Sequence, residues 1–134
     1  MALTLPKRMY DEIIAHTKEG GPEEVCGMIA GKDGRAVKLY RIKNAAENRA
    51  ITYYMEPHDQ LRAFQDMDGH GWELLAIYHS HPSSENYPSQ TDVRQAFYPE
   101  AYYLIATLHS PSVIPLKAYR IIDSVITEEP IIVE

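Results

Sequence analysis

A chain of 134 residues, 45% hydrophobic and 24% charged, has the length and balance of one folded domain over 1–134. One cysteine, Cys26, excludes a disulfide scaffold. No apolar run exceeds about five residues where a bilayer span needs ~20, and no basic flank with an apolar run opens the chain, so a cytoplasmic protein is expected. The formal charge of -6 is uneven: residues 1–67 hold ten basic and ten acidic side chains, residues 68–134 three and nine, which argues against a nucleic-acid partner.

Pro6 to Glu19 reads as a helix, with Leu5, Met9, Ile13 and His16 at helical spacing and Gly20-Gly21-Pro22 as its stop. Glu24 to Gly31 is short and apolar, a buried strand. Asp33-Gly34 is a hairpin turn leading into a strand over Ala36 to Lys43. The basic cluster Lys32, Arg35, Lys38, Arg41 and Lys43 is expected to be a solvated strand face. Ala50 to Met55 looks strand-like through Ile51, Thr52, Tyr53 and Tyr54. His58 to Met67 places Leu61, Phe64 and Met67 on one helical stripe, and Trp72 to Tyr78 is a central strand anchored by Trp72. Ser89 to Phe97 reads as a helix, Ala101 to Leu108 and Leu116 to Ile122 as strands, and Val125 to Val133 as an edge strand because of Pro130. Helices and strands mix without strict alternation, so the fold class is α+β, or a mixed α/β sheet with flanking helices.

The chemistry concentrates in residues 78 to 92. His79 and His81 are two apart at the end of an apolar strand, so their side chains leave on the same side and can converge on one ion. Pro82 stops the strand, and Ser89 opens a helix with Asp92 three residues later, a capping-box spacing. The cap fixes the direction of Asp92, which makes it the candidate third ligand of a catalytic zinc with an open position. No HExxH occurs, so a general base must come from elsewhere in the chain. Glu24, at the mouth of a buried strand, is the candidate, although a glutamate there is ordinarily just exposed.

Glu24 in PEEVCG, then His79-Ser80-His81-Pro82, ten intervening residues, and Asp92 with Ser89 three before it resemble the JAMM (MPN-plus) zinc isopeptidase motif. The resemblance implies the JAMM/MPN, cytidine-deaminase-like fold, with a central, mostly antiparallel twisted sheet flanked by helices. It implies one Zn2+ held by His79, His81 and Asp92, with Glu24 as acid/base and the Ser89 hydroxyl helping to hold the oxyanion. YHSH…YPSQTDV and the tail from Tyr119 to Pro130 are similar to small bacterial enzymes acting on ubiquitin-like sulfur-carrier proteins. The expected partner is therefore a carrier ending in Gly-Gly, cleaved after its last glycine to release cysteine or a similar adduct. A deubiquitinase-like isopeptidase and a non-catalytic MPN scaffold are the alternatives. Cys26, inside a buried-strand pattern, is expected to be a packed residue rather than a nucleophile.

Overall fold

A computed structural model describes residues 2–109 and 114–134. Strand β1 (Leu3–Leu5) leads into helix α1 (Lys7–Gly20), followed by the hairpin β2 (Cys26–Lys32) and β3 (Arg35–Ile42). Helix α2 (Pro57–His70), strand β4 (Glu73–His81), the short helix α3 (Gln90–Arg94) and strand β5 (Tyr102–Thr107) come next. The strands β6 (Leu116–Ile122), β7 (Val125–Glu129) and β8 (Ile131–Val133) complete the chain. Six strands form one sheet in the order β3-β2-β4-β5-β6-β7. Within this sheet only β4 and β5 run parallel, and its other neighbouring pairs are antiparallel. The expected α+β class with a mostly antiparallel central sheet is the one found.

Each sheet face is covered by one helix. Met9 and Ile13 of α1 pack with Val25, Ile29, Tyr78, Leu104 and Leu116 on one side. Ala63 and Met67 of α2 pack with Cys26, Met28, Ile77 and Ile105 on the other. Central strands covered twice in this way bury alternate side chains on opposite faces, which explains why β4 and β5 read as near-continuous apolar runs. The basic residues of β3 are exposed as expected but do not share one face: Lys38 pairs with Asp66 of α2 and Arg41 with Glu12 and Glu19 of α1, on opposite sides of the sheet. Exposed pairs of this kind contribute little to stability.

Four features differ from the sequence expectation. Leu3–Leu5 is a strand, not the start of the helical stripe, and it pairs in parallel with β8. Pro130 divides the last expected strand: β7 stays on the edge of the main sheet, and β8 crosses to β1. Residues 50–54 are not a strand, and only Met55 makes a bridge, to Asn44. Their backbone is bonded elsewhere, since Ile51 and Thr52 donate to the Asn48 carbonyl and Tyr54 donates to the Asn44 side chain. The helix expected to reach Phe97 ends at Arg94, and the Tyr98 N–H is taken by the Tyr103 hydroxyl at 3.0 Å.

Two turns show the backbone chemistry of tight hairpins. Asp33 and Gly34 both have positive φ (53° and 77°), as do Asp123 and Ser124 (52° and 66°), the geometry that follows the twist of paired strands. Gly27 is required for a different reason. It lies opposite Tyr78 in the β2–β4 ladder, and a Cβ there would overlap the Tyr78 ring and crowd the Tyr40 carbonyl. The aromatic ring thus occupies the space that any larger residue would need. Gly27→Ala is expected to lower stability by about 1–3 kcal/mol, the usual cost of overpacking, read as a shift of the urea midpoint. An unchanged midpoint would show that Tyr78 moves aside freely.

Candidate metal centre

β4 has β2 hydrogen-bonded on one side and β5 on the other as far as its last residues. His79 pairs with Cys26 and Ile105, and His81 with Thr107. Both imidazoles are buried and point the same way, as the period of two dictates. Their Nε2 atoms lie 3.2 Å apart, and each faces the same oxygen of Asp92: Oδ2 is 3.1 Å from His79 Nε2 and 3.0 Å from His81 Nε2. Asp92 is held by the expected capping box. Ser89 Oγ accepts from the Asp92 N–H at 3.0 Å, and the Ser89 N–H donates to Asp92 Oδ2 at 2.9 Å. Ser89 Oγ gives a lone pair to the cap, so its O–H remains available as a donor.

This triangle suits a cation better than it suits protons. Two ring nitrogens and a carboxylate oxygen converge on one point, where a single proton can serve only one pair at a time. Tetrahedral zinc with bonds of ~2.0–2.1 Å separates its ligand atoms by ~3.3–3.4 Å, close to the edges found here. Three protein ligands also leave a fourth position for a water or a substrate oxygen. His79, His81 and Asp92 form a cluster able to hold a metal among the described residues. Two buried polar atoms beside it, Glu24 Oε1 and His79 Nδ1, have no hydrogen-bond partner there.

Electrostatics follow the geometry. Burial opposes ionisation of Asp92, yet hydrogen bonds from His79 and His81 hold its carboxyl well below the usual carboxylate range. Burial also opposes a charge on His81, but the Asp92 bond and the Glu85 carbonyl raise it above its ordinary value. Glu24 is buried, and desolvation pushes its carboxyl up to about 8, with His81 lowering it and Asp92 raising it. Cys26 is fully buried and its thiol is pushed up to about 12, mainly by burial, so it is a packed residue as expected.

Glu24 reaches this neighbourhood through the β2–β4 register. Val25 extends the ladder beyond Cys26: its N–H donates to Ser80 Oγ at 2.9 Å, and the Ser80 N–H donates to the Val25 carbonyl at 3.1 Å. Ser80, between the two histidines, thus ties down the residue next to Glu24. The Glu24 N–H donates to the Arg49 carbonyl at 2.7 Å, and its carbonyl accepts from Asn44 Nδ2 at 2.9 Å. Sequence reasoning missed Ser80 and Asn44 as parts of this arrangement, and also Tyr53, whose ring stacks on that of His79. The antiparallel pairing of EVCG with YHSH could have signalled Ser80; no local pattern signals the other two. His16 lies outside the centre, bonded through Nδ1 to the Tyr78 hydroxyl at 2.7 Å. Beside Ser89, an open and mainly apolar depression of about 310 Å³ is lined by Pro88, Gln90, Val93, Arg94 and Ile126.

The model of prokaryotic homologs of the JAB domain matches residues 6–122. The chain belongs to that family. It is 33% identical over 130 residues to the CysO-cysteine peptidase of Mycobacterium tuberculosis, covering 96% of this chain and 89% of the peptidase. It is 33% identical over 111 residues to the desampylase of Haloferax volcanii, covering 78% and 80%. The solution structure of DSY2949 from Desulfitobacterium hafniense superposes with a TM-score of 0.86 at 35% identity, over 100% of this chain and 93% of that one. AF2198 of Archaeoglobus fulgidus, a JAB1/MPN domain protein, shares the fold with a TM-score of 0.64 at 16% identity, over 98% of each chain. The chain is a peptidase of the JAB type, and its His-His-Asp cluster is compatible with zinc.

The position of Glu24 has a measurable consequence for the metal-free JAB domain. The folded chain keeps a proton on Glu24 up to about pH 8, whereas the unfolded chain releases it near the ordinary carboxylate value of 4.5. Between those values the native state binds more protons than the unfolded state, so stability falls as pH rises. In chelator, Glu24→Gln should therefore gain thermal stability relative to wild type as pH increases from about 5 to about 8. A gap between the two melting temperatures that stays constant over this range would refute the burial of an ionisable Glu24.

Proposed function

We propose that this chain is a zinc-dependent hydrolase, a single catalytic domain over 1–134. It cleaves the peptide or isopeptide bond after the C-terminal glycine of a ubiquitin-like sulfur-carrier protein in the cytoplasm, releasing cysteine or a similar adduct. The observation that carries the chemistry is the convergence of His79 Nε2, His81 Nε2 and Asp92 Oδ2 within 3.2 Å of one another. The substrate class is supported by 33% identity to a CysO-cysteine peptidase across nearly the whole chain.

His79, His81 and Asp92 would hold one zinc ion. Bound there, zinc supplies a Lewis acid that acidifies water and polarises a carbonyl. Glu24 accepts the proton of the attacking water and returns it to the leaving amine. Burial raises its affinity for protons above that of an ordinary carboxylate, which suits a group that both takes up and returns a proton. Ser89 donates its free O–H to the oxygen that gains charge as the carbonyl becomes tetrahedral. The same serine caps α3 and keeps Asp92 in place, so a single side chain serves both orientation and charge stabilisation.

The purified protein should be given a ubiquitin-like carrier ending in Gly-Gly-Cys and, in parallel, diubiquitin, each with and without chelator. Cysteine release that chelator abolishes, with diubiquitin left intact, is the expected result. Cleavage of diubiquitin alone would make the protein deubiquitinase-like, and cleavage of neither by zinc-loaded protein would favour a scaffold. Glu24→Gln should stay folded and zinc-loaded while kcat falls by about 10²–10⁴, the usual worth of a positioned acid/base. Full activity in that variant would remove Glu24 from the mechanism.

A further inference from the structure

Metal-bound imidazoles almost always give their second ring N–H to an acceptor, which fixes the orientation of the ring. His81 follows the rule, with Nδ1 2.7 Å from the Glu85 carbonyl. His79 does not: its Nδ1 is buried and has no hydrogen-bond partner among the described residues. Its ring is held by a face. Tyr53 stacks on it with centroids 4.5 Å apart and planes 25° from parallel.

Tyr53 belongs to no strand. It sits in the connection from β3 to α2, where a loop would ordinarily be free to shift. Asn44 removes that freedom by using its whole hydrogen-bonding capacity on this connection and on Glu24. Its Nδ2 donates to the carbonyls of Glu24 (2.9 Å) and Thr52 (3.1 Å). Its Oδ1 accepts the N–H groups of Ala46 and Tyr54, both at 3.0 Å. Thr52 and Tyr54 flank Tyr53, so one side chain pins the backbone on both sides of the stacking ring. The Ala45 N–H adds a bond to the Tyr54 carbonyl at 2.7 Å, and the Glu24 N–H ties the same loop through Arg49.

We propose that Tyr53 is the positioning residue for His79, its ring face orienting the imidazole as the Glu85 carbonyl orients that of His81, with Asn44 holding Tyr53 in register. This rests on the reading of His79, His81 and Asp92 as zinc ligands. The hydroxyl of Tyr53 has no part in it; the flat aromatic face does. Tyr53 touches no reacting atom in this scheme, and its effect is on how well the centre is preorganised.

The test is zinc affinity, measured by competition with a chromophoric chelator on wild type, Tyr53→Phe, Tyr53→Leu and Asn44→Ser. Far-UV circular dichroism of the metal-free proteins monitors folding. Phe keeps the aromatic face and should bind zinc as wild type does. Leu keeps apolar bulk without that face and should bind about tenfold or more weakly, the usual cost of losing a partner of a metal ligand. Asn44→Ser, which leaves the ring intact, should weaken zinc in the same direction, and this comparison decides the matter if the Leu variant does not fold. Wild-type affinity in folded Tyr53→Leu would overturn the inference. Equal losses in Phe and Leu would also overturn it, by assigning the role to the hydroxyl. A purely structural role for Asn44 would lower the melting temperature and leave zinc affinity unchanged. A wild-type chain that takes up no zinc would sink the reading of the site itself, a result distinct from zinc-binding wild type with unaffected variants.

Discussion

Strand β4 is paired on both sides, antiparallel to β2 and parallel to β5, and this double pairing governs where the chemistry can be. β5 follows β4 to His81, and the β2 side follows it through Val25 to Ser80, so pairing sets the direction of its last side chains. His79 and His81 are therefore committed to the same face, in a region without bulk water to satisfy their nitrogens. Burying two imidazoles and a carboxylate with their lone pairs aimed at one point is costly unless something positive occupies that point. The rest of the molecule supplies the stability that allows it: a six-stranded sheet covered by α1 on one face and α2 on the other.

The proposed acid/base, Glu24, and the proposed metal ligands are positioned by different means. His79 and His81 sit at the end of β4, with strand partners on both sides at His79 and in β5 at His81, and Asp92 sits on the first turn of a capped helix. Glu24 lies two residues before β2 begins, just past the Val25–Ser80 pair that extends the β2–β4 ladder, and has no strand partner of its own. Its backbone is bonded instead by Asn44 and Arg49 of the β3–α2 connection, and its neighbour Val25 is bonded by Ser80. The proton shuttle proposed for Glu24 would gain from this arrangement. Its main chain is fixed while the Oε1 atom stays uncommitted to any protein donor among the described residues.

The sequence is most legible where physical pattern and position coincide. The α1 stripe of Met9 and Ile13 and the apolar runs of β4 and β5 are local signals, and each element forms close to its expected bounds. Ser89 and Asp92 were readable as a cap because capping chemistry acts over three residues. Ala50 to Met55 was not readable. Its aromatic and β-branched residues satisfy strand propensity, yet the hydrogen bonds that decide its structure go to an amide side chain several residues upstream. Leu3–Leu5 was equally hidden, since its partner lies at the opposite end of the chain. Propensity is local, and pairing over long separations is not.

Helix α3 carries a further consequence. It has five residues, well below the length at which an isolated helix holds together in water. Its first turn depends on Asp92, and the same Oδ2 atom answers to both histidines and to the Ser89 N–H. With Asp92 as a proposed ligand, occupation of the centre and local folding of this segment would be one linked equilibrium rather than two separate ones. The wall that Val93 and Arg94 contribute to the depression beside Ser89 would share in it. Under the proposed function, a metal ion here would act beyond its own ligands, by steadying the first turn that carries one wall of this depression.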